Sequence, residues 1–381
     1  MMEVKIYDTT LRDGAQSSGV SFSLEDKLKI AKRLADIGIH YIEGGWPGSN
    51  PKDIKFFREI NSIKLGKSKV SAFTSTRRAH VRVEEDVSLR KALKADTDVI
   101  ALFGKSWRLH VSDVLKTTLG ENLKMVEESV RYLKRRGKEV IYDAEHFFDG
   151  FKDSSEYALK TLEAAVCGGA DCVVLCDTNG GALPSEVASI IQKVKKGIKC
   201  ELGIHTHNDS GMAVANSIIA VENGTSHIQG TINGLGERCG NADLTAIIPN
   251  LQLKMGVKCM SGENLSKLTE LSLYIDELAN LIPLSNRPFV GESAFAHKGG
   301  MHIDAVRKNP LSFEHMDPHL VGNRRKFVTS ELAGKSTILL KAREFGIPLE
   351  KDDREVSYLL NKLKKLEFLL ASHQHHYLNS G

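Results

Sequence analysis

The sequence predicts an α/β fold: a (β/α)8 TIM barrel with a mainly helical C-terminal extension. Eight short apolar runs, rich in Val, Ile, Leu and Tyr, alternate with helix-like stretches through the first two-thirds of the 381-residue chain. Strands that alternate with helices at this spacing are typical of a parallel sheet, and eight of them close a TIM barrel. The alternative is an open doubly wound sheet, but no run is followed by the G-x-G-x-x-G turn that opens a helix in that fold.

The predicted strands follow one another along the chain. They are VKIYD from Val4, YIEGG from Tyr41, VSAFTS from Val70, DVIALFG from Asp98, EVIYDAE from Glu139, DCVVLCD from Asp171, ELGIHTH from Glu201 and HIQGTI from His227. The clearest helix between them is SLEDKLKIAKRLADIGI. Its expected N-cap is Ser23, with Asp26 three residues later, and Gly38 ends it.

The periodic pattern changes after about Gly256. We therefore assign residues 1–257 to the catalytic barrel and residues 258–381 to helical linkers and subdomains that contribute to a dimer and to the active site. The extension contains a long irregular segment, PLSNRPFVGESAFAHKGGMHIDAVRKNP. Such a segment is uncommon as a plain connector, which indicates a functional role or contact with another subunit.

The composition is ordinary for a globular enzyme. Hydrophobic residues make up 41% and charged residues 26%, and the net charge of +4 is spread over 52 basic and 48 acidic residues. This balance disfavours nucleic-acid binding. No apolar run approaches the roughly 20 residues of a membrane span, and the N-terminus lacks the apolar region of a signal peptide. The six cysteines form no CxxC pair, so we expect reduced thiols in a cytoplasmic protein.

Two histidines stand two residues apart at the end of the seventh predicted strand, in GIHTHNDSG. Alternate residues of a strand point to the same face, so His205 and His207 project together into the barrel mouth. Such a pair suits a metal ion, usually with a carboxylate as third ligand, although two histidines in a hydrogen-bonded network would give the same pattern. The first strand end supplies the candidate carboxylates Asp8 and Asp13, and the loop after the eighth strand supplies Asn233 and Asn241.

Three motifs in this order, DTTLRDGAQ, HTHND and NGLGERCGNADL, resemble the family of Claisen-condensing TIM-barrel synthases. That family includes the isopropylmalate, homocitrate and citramalate synthases, with hydroxymethylglutaryl-CoA lyase as a relative. The resemblance implies that Asp13, His205 and His207 bind a divalent cation, with Asn241 as a further ligand. These ligand types do not distinguish Mn, Mg and Zn.

The resemblance also implies an acyltransferase that joins acetyl-CoA to a 2-oxo acid. Arg12 would stabilise the oxyanion, or else form a structural ion pair, and Glu43 would support it or form an ordinary salt bridge. Glu145 would act in proton transfer or orient water, or else form an ordinary salt bridge at the rim of the barrel. Thr178 would hydrogen-bond the substrate carboxylate, or else cap a turn.

The stretch FAHKGGMHIDAV resembles the family segment that reaches the active site of a neighbouring subunit. His302 would then be the catalytic base or its partner, since an imidazole suits proton transfer at neutral pH. His297 is the competing candidate. We therefore expect a homodimer whose sites are completed in trans.

The favoured 2-oxo acid is pyruvate, which would make the product citramalate and the pathway isoleucine biosynthesis. Phe103 and Tyr142, with Phe73, are expected to narrow the pocket or else to pack beneath it as barrel core. The segments GGWPGSNPKD and FGKSWRLHV look more like citramalate synthases. The alternatives are 2-isopropylmalate synthase, homocitrate synthase and a non-enzymatic barrel that binds a metal or an acyl-CoA. Family synthases commonly carry a C-terminal regulatory domain, which we expect to be absent from this chain.

Overall fold

Eight parallel strands form a closed barrel in which each strand pairs with the next and β8 pairs with β1. The strands are β1 (Lys5–Asp8), β2 (Tyr41–Gly45), β3 (Lys69–Ser75), β4 (Val99–Lys105), β5 (Glu139–Glu145), β6 (Cys172–Asp177), β7 (Glu201–Thr206) and β8 (His227–Gly230). This computed structural model describes residues 3–328, 334–350 and 354–378. The predicted fold class is confirmed.

The helices alternate with the strands as the sequence pattern predicts. In the first part of the chain they are α1 (Leu24–Asp36), α2 (Pro51–Ile60), α3 (Val87–Lys94), α4 (Leu119–Lys134), α5 (Phe147–Asp153), α6 (Ser155–Gly168), α7 (Pro184–Gly197), α8 (Ala213–Glu222), α9 (Leu244–Pro249), α10 (Gly262–Leu265) and α11 (Leu268–Leu278). α1 begins with a reciprocal capping box. The Ser23 hydroxyl accepts the Asp26 amide proton, and the Asp26 carboxylate accepts the Ser23 amide proton.

The chain divides into two compact units, Met1–Pro283 and Leu284–Gly381. This border lies later than residue 257, where the sequence pattern changes, because α10 and α11 belong to the barrel unit. Ile275 of α11 is fully buried, and the Asn233 side chain after β8 donates to Asp276 at 2.8 Å.

The second unit is built from short elements. They are β9 (Ala296–His297), α12 (Gly300–Lys308), β10 (Lys326–Phe327), α13 (Lys335–Glu344) and α14 (Arg354–Leu378). Its interior holds a buried ion-pair cluster in which Glu314 accepts from Arg325 at 2.6 Å and lies 3.0 Å from the His297 ring nitrogen Nε2. No helix in the described ranges combines the length and the apolar character that a membrane span requires.

The barrel interior is filled with side chains below the C-terminal strand ends. Tyr7, Tyr41 and His227 form a mutual cluster with ring centroids 5.4 to 5.9 Å apart. Ile141 and Val174 pack into the same core. These side chains form a plug that fills the lower part of the barrel. The open space lies at the C-terminal ends of the strands, where TIM barrels carry their active sites.

His227 makes folding stability depend on pH. Burial, together with Lys5 and His40, lowers its pKa from 6.5 to about 3, so below pH 6.5 the unfolded chain binds a proton that the folded chain does not. Stability is therefore lost as the pH falls below 6.5. We expect the free energy of unfolding of His227→Leu to fall by about 2 kcal/mol less between pH 7 and pH 5 than that of the parent. Urea unfolding at both pH values measures this difference; an equal loss in both proteins would contradict it.

Candidate active site

One cavity of about 220 Å³ opens at the C-terminal ends of the barrel strands. Ligand pockets for drug-sized molecules occupy roughly 300 to 1,000 Å³, so this cavity suits a smaller substrate. Eight of the predicted site residues line it: Arg12, Asp13, Phe73, Phe103, Glu145, Thr178, His205 and His207. The closed barrel thus brings together residues that are far apart in the sequence.

The predicted metal ligands form one buried cluster. The Asp13 Oδ2 atom lies 3.5 Å from His205 Nε2 and 3.8 Å from His207 Nε2. The three ligand atoms all lie within 4.8 Å of one another. Donors bound at about 2.1 Å to a common ion lie roughly 3 to 4 Å apart, so these three residues have the spacing that a divalent cation requires.

The protonation states of the cluster also suit a cation. Burial and the neighbouring His207 lower the pKa of His205 to about 3, and burial lowers the pKa of His207. Burial alone would raise the pKa of Asp13, but Arg12 and the two histidines hold it below its ordinary value. At neutral pH the cluster therefore offers one carboxylate and two neutral imidazoles, the forms that bind metals.

Asn241, the remaining predicted ligand, forms a side-chain hydrogen bond with Asp13. It follows β8 and forms an isolated backbone bridge with His207. Its side-chain nitrogen donates to the Leu235 carbonyl at 3.1 Å, whereas its Oδ1 atom is buried without a hydrogen-bond partner among the described residues. A buried polar atom without a partner is costly, and a bound cation would satisfy it. The donor set therefore fits a divalent metal.

Asp8, the other carboxylate at the end of β1, has a different role. It accepts hydrogen bonds from the Thr10 amide at 2.9 Å and from the Thr10 hydroxyl at 2.8 Å. These bonds shape the turn that follows β1, in which the Asp13 amide donates to the Thr9 carbonyl. Asp8 thus builds the turn that presents Arg12 and Asp13.

Arg12 is held by a buried carboxylate from the next strand. Its Nε atom donates to Glu43 at 2.6 Å, and the Tyr7 hydroxyl donates to the same carboxylate at 2.7 Å. The guanidinium carbon lies 3.9 Å above the centre of the Phe73 ring, a cation–π contact. Burial opposes the charge, but Glu43 and Asp13 raise the pKa of Arg12 above its ordinary value. Arg12 thus forms the ion pair and also lines the cavity, and its role in stabilising an oxyanion stays a prediction.

Glu145 ends β5 and lines the cavity, as its position in the sequence predicts. Its Oε2 atom forms an ion pair with Lys105, which ends the neighbouring strand β4. Lys105 was not expected from the sequence. The only signal was its place at the end of a strand that pairs with the strand of Glu145.

Thr178 follows β6 and also lines the cavity. Its hydroxyl oxygen accepts a hydrogen bond from the His146 amide at 2.8 Å. His146 has a positive φ of 55°, a conformation that is uncommon for residues with side chains. Because the Thr178 oxygen accepts from the backbone, its proton is left to donate to another group.

An aromatic wall bounds the cavity on one side. It consists of Trp46, Phe73 and Phe103, with ring centroids 5.1 to 5.6 Å apart. Trp46 was missed by the sequence analysis. Its amide donates to Asp53 at 2.8 Å, and Gly45 before it has a φ of 143°, where any side chain would collide with that carboxylate.

Tyr142 does not line the cavity, which corrects the expectation that it narrows the substrate pocket. Its neighbour Asp143 faces the cavity, and successive side chains of a strand point to opposite faces. Tyr142 is fully buried outside the barrel interior, and a side chain at Gly104 would meet its hydroxyl at 2.8 Å.

Asp143 and Gln229 are two further buried polar residues that the sequence analysis missed. The Gln229 Nε2 atom donates to Asp143 Oδ1 at 2.9 Å, and its Oε1 atom lies 3.0 Å from His205 Nδ1. Burial, together with Glu43, raises the pKa of Asp143 to about 8. Alternation along β8 signals that Gln229 shares a face with His227, but no motif marks it.

The two histidines of the irregular segment lie in the second unit. His302 is exposed on α12 and stacks on Phe313 with ring centroids 4.1 Å apart. His297, the competing candidate, is buried in the ion-pair cluster with Glu314. His297 thus has a structural partner, and the catalytic role of His302 stays a prediction.

Comparisons with known families and proteins identify the family of this chain. The HMGL-like family model matches residues 3–275, and the homocitrate synthase post-HMGL domain-like model matches residues 289–368. The (R)-citramalate synthase of Aquifex aeolicus is 57% identical over 366 residues, which cover 96% of this chain and 69% of that protein. The (R)-citramalate synthase of Geobacter sulfurreducens is 53% identical over 367 residues, covering 96% and 70%.

More distant proteins share the fold. The HMG-CoA lyase of Bacillus subtilis superposes with a TM-score of 0.64 at 21% identity, over 75% of this chain and 97% of that chain. At this identity the likeness supports the barrel fold alone. The family match over residues 3–275 and the relatives that are 57% and 53% identical show more than the fold. The chain belongs to the HMGL-like family and, within it, to the group of the (R)-citramalate synthases.

Proposed function

We propose that this enzyme condenses acetyl-CoA with pyruvate and releases citramalate and CoA. The observation that carries the proposal is one small cavity in which the buried cluster of Asp13, His205 and His207 lies beside Arg12 and Glu145. The relatives above 50% identity that bear the name (R)-citramalate synthase support pyruvate as the acceptor. A probable 2-isopropylmalate synthase of Ignicoccus hospitalis is only 34% identical, which disfavours a larger 2-oxo acid.

The reaction has three chemical demands. A base must take a proton from the methyl group of the acetyl thioester, the resulting carbanion must attack the keto carbon of pyruvate, and water must then cleave the thioester. Asp13, His205, His207 and Asn241 would hold a divalent cation, Mn, Mg or Zn, which supplies a Lewis acid for the keto acid when it is bound.

Arg12 and Thr178 would bind the acceptor. Arg12 carries a fixed positive charge in a buried setting, where it stabilises the oxygen that becomes negative as the carbon–carbon bond forms. The Thr178 hydroxyl has its oxygen engaged by the His146 amide, so its proton is available to the carboxylate of pyruvate. Phe103 and Trp46 would limit the length of the acceptor side chain, since both line the cavity.

Glu145 and His302 would move protons. Glu145 forms an ion pair with Lys105, which holds its side chain at the cavity, where it would orient water or accept a proton. His302 would act as the base or as its partner from the neighbouring subunit of a homodimer. The proposal places the enzyme in the cytoplasm, at the entry to isoleucine biosynthesis.

Substrate choice is tested by thiol release from acetyl-CoA. We expect release with pyruvate and Mn²⁺, little or none with 2-oxoisovalerate or 2-oxoglutarate, and none in excess chelator. A thiol reagent records the CoA that is formed. Release with another acid alone would overturn the choice of pyruvate, and no release from folded, metal-loaded protein would overturn the enzymatic function.

The metal site is tested by thermal unfolding. Because a cation that binds only the folded state stabilises it, saturating Mn²⁺ should raise the melting temperature by roughly 5 °C. Asp13→Asn removes the only carboxylate of the cluster and should abolish this rise. Asp36→Asn, an exposed change of the same kind, should keep it. An equal rise in all three proteins would place the cation elsewhere.

The role of His302 is tested with mixed dimers. Asp13→Ala and His302→Ala subunits are expected to be inactive alone. If each site takes His302 from the partner, the two subunits co-expressed at equal amounts should recover about a quarter of the parental activity, since half of the dimers are mixed and each holds one intact site. An inactive mixture that contains mixed dimers would exclude completion in trans.

A further inference from the structure

Three buried polar side chains form a continuous hydrogen-bonded chain across the barrel interior. Asp143 of β5, Gln229 of β8 and His205 of β7 are joined by contacts of 2.9 and 3.0 Å. Gln229 is fully buried, and Asp143 and His205 are 4% and 6% exposed. Gln229 itself does not line the cavity, and its amide group contacts Asp143 on one side and His205 on the other.

The amide group of Gln229 determines which atom donates and which accepts in each of these hydrogen bonds. A carboxyl group offers an acceptor oxygen in either protonation state, so Asp143 Oδ1 accepts from the Nε2 atom of Gln229. The carbonyl oxygen Oε1 of Gln229 then faces His205 Nδ1. Because a carbonyl oxygen only accepts, the proton of the neutral imidazole must lie on Nδ1.

This assignment leaves the lone pair of His205 on Nε2. That atom is the one that faces Asp13, at 3.5 Å. His207 has no comparable support: its Nδ1 atom is buried without a hydrogen-bond partner among the described residues. The ring of His205 is thus the one held in a defined tautomer and orientation before any ligand arrives.

We propose that Gln229, anchored by Asp143, is a positioning residue that holds His205 in the tautomer that binds the divalent cation. The inference rests on the proposed metal site. Residues behind metal ligands commonly contribute 10- to 100-fold in metal affinity, because they fix the ring and raise its basicity. The last residue of this hydrogen-bonded series, Asp143, also lines the cavity. The same hydrogen bonds therefore connect the predicted metal ligand His205 with the wall of the cavity.

Mn²⁺ affinity of the full-length protein tests the inference. Gln229→Met keeps the length of the side chain and removes both hydrogen bonds, so we expect the affinity to fall by about 10- to 100-fold. Asp143→Asn keeps an acceptor oxygen and should change the affinity by less than about threefold. Adding Asp143→Leu to Gln229→Met should cause no further loss, because both changes break one chain.

His227→Leu is the matched control, since His227 faces the same interior two residues earlier on β8. It should change stability and leave Mn²⁺ affinity as it is. A second readout is the tautomer of His205 in metal-free protein, followed by nitrogen NMR with His205→Asn for assignment. The parent should show the Nδ1–H form, and Gln229→Met should show a mixture.

The outcomes separate this inference from the proposed function. Unchanged Mn²⁺ affinity in Gln229→Met, or an equal loss in His227→Leu, would overturn the positioning role while the metal site stands. A parent protein that binds Mn²⁺ no better than Asp13→Asn would overturn both, because no cation would then depend on His205.

Discussion

The buried ion pair between Arg12 and Glu43 is the interaction on which the rest of the site depends. The carboxylates of Asp13 and Glu145 line the cavity, and the fully buried Glu43 carboxylate lies beside Arg12. A buried charge without a partner is unfavourable. Breaking a buried pair by removing one partner typically costs about 3 to 5 kcal/mol, since the remaining charge is uncompensated. The Nε atom of Arg12 pairs with the Glu43 carboxylate, and a second guanidinium nitrogen lies 3.4 Å from Asp13. One positive charge therefore stabilises both the buried Glu43 and the predicted ligand Asp13.

The walls of the cavity strengthen these charges. Trp46, Phe73 and Phe103 stand on one side, and the aromatic plug around Tyr7 closes the barrel below. Electrostatic interactions are stronger where water is excluded, so these apolar walls strengthen the interactions among the charged side chains that line the cavity. The same environment keeps both histidines neutral. The apolar packing therefore favours the neutral imidazoles that a metal ion would bind.

Much of this arrangement follows from local sequence. The apolar runs set the strands, the capping residues set helix starts, and the placement of Asp13, His205 and His207 at strand ends brings them to one rim once the barrel closes. Tyr142 shows where local reasoning fails. A shift of one residue along a strand reverses the side that a side chain faces, and the register of β5 is set by its neighbours.

The sequence by itself determined the fold class and the order of the elements, because these depend on the periodicity of apolar residues. It also predicted His205 and His207 as metal ligands from their spacing on one strand, whereas the choice of Asp13 over Asp8 came from the resemblance of the motifs to the family. Only the tertiary structure decided that Glu43 holds Arg12, that Lys105 pairs with Glu145 and that Gln229 stands behind His205. Those contacts join residues from different strands. Their existence depends on barrel closure and on strand register, which are set by the packing of the whole chain and not by any one segment.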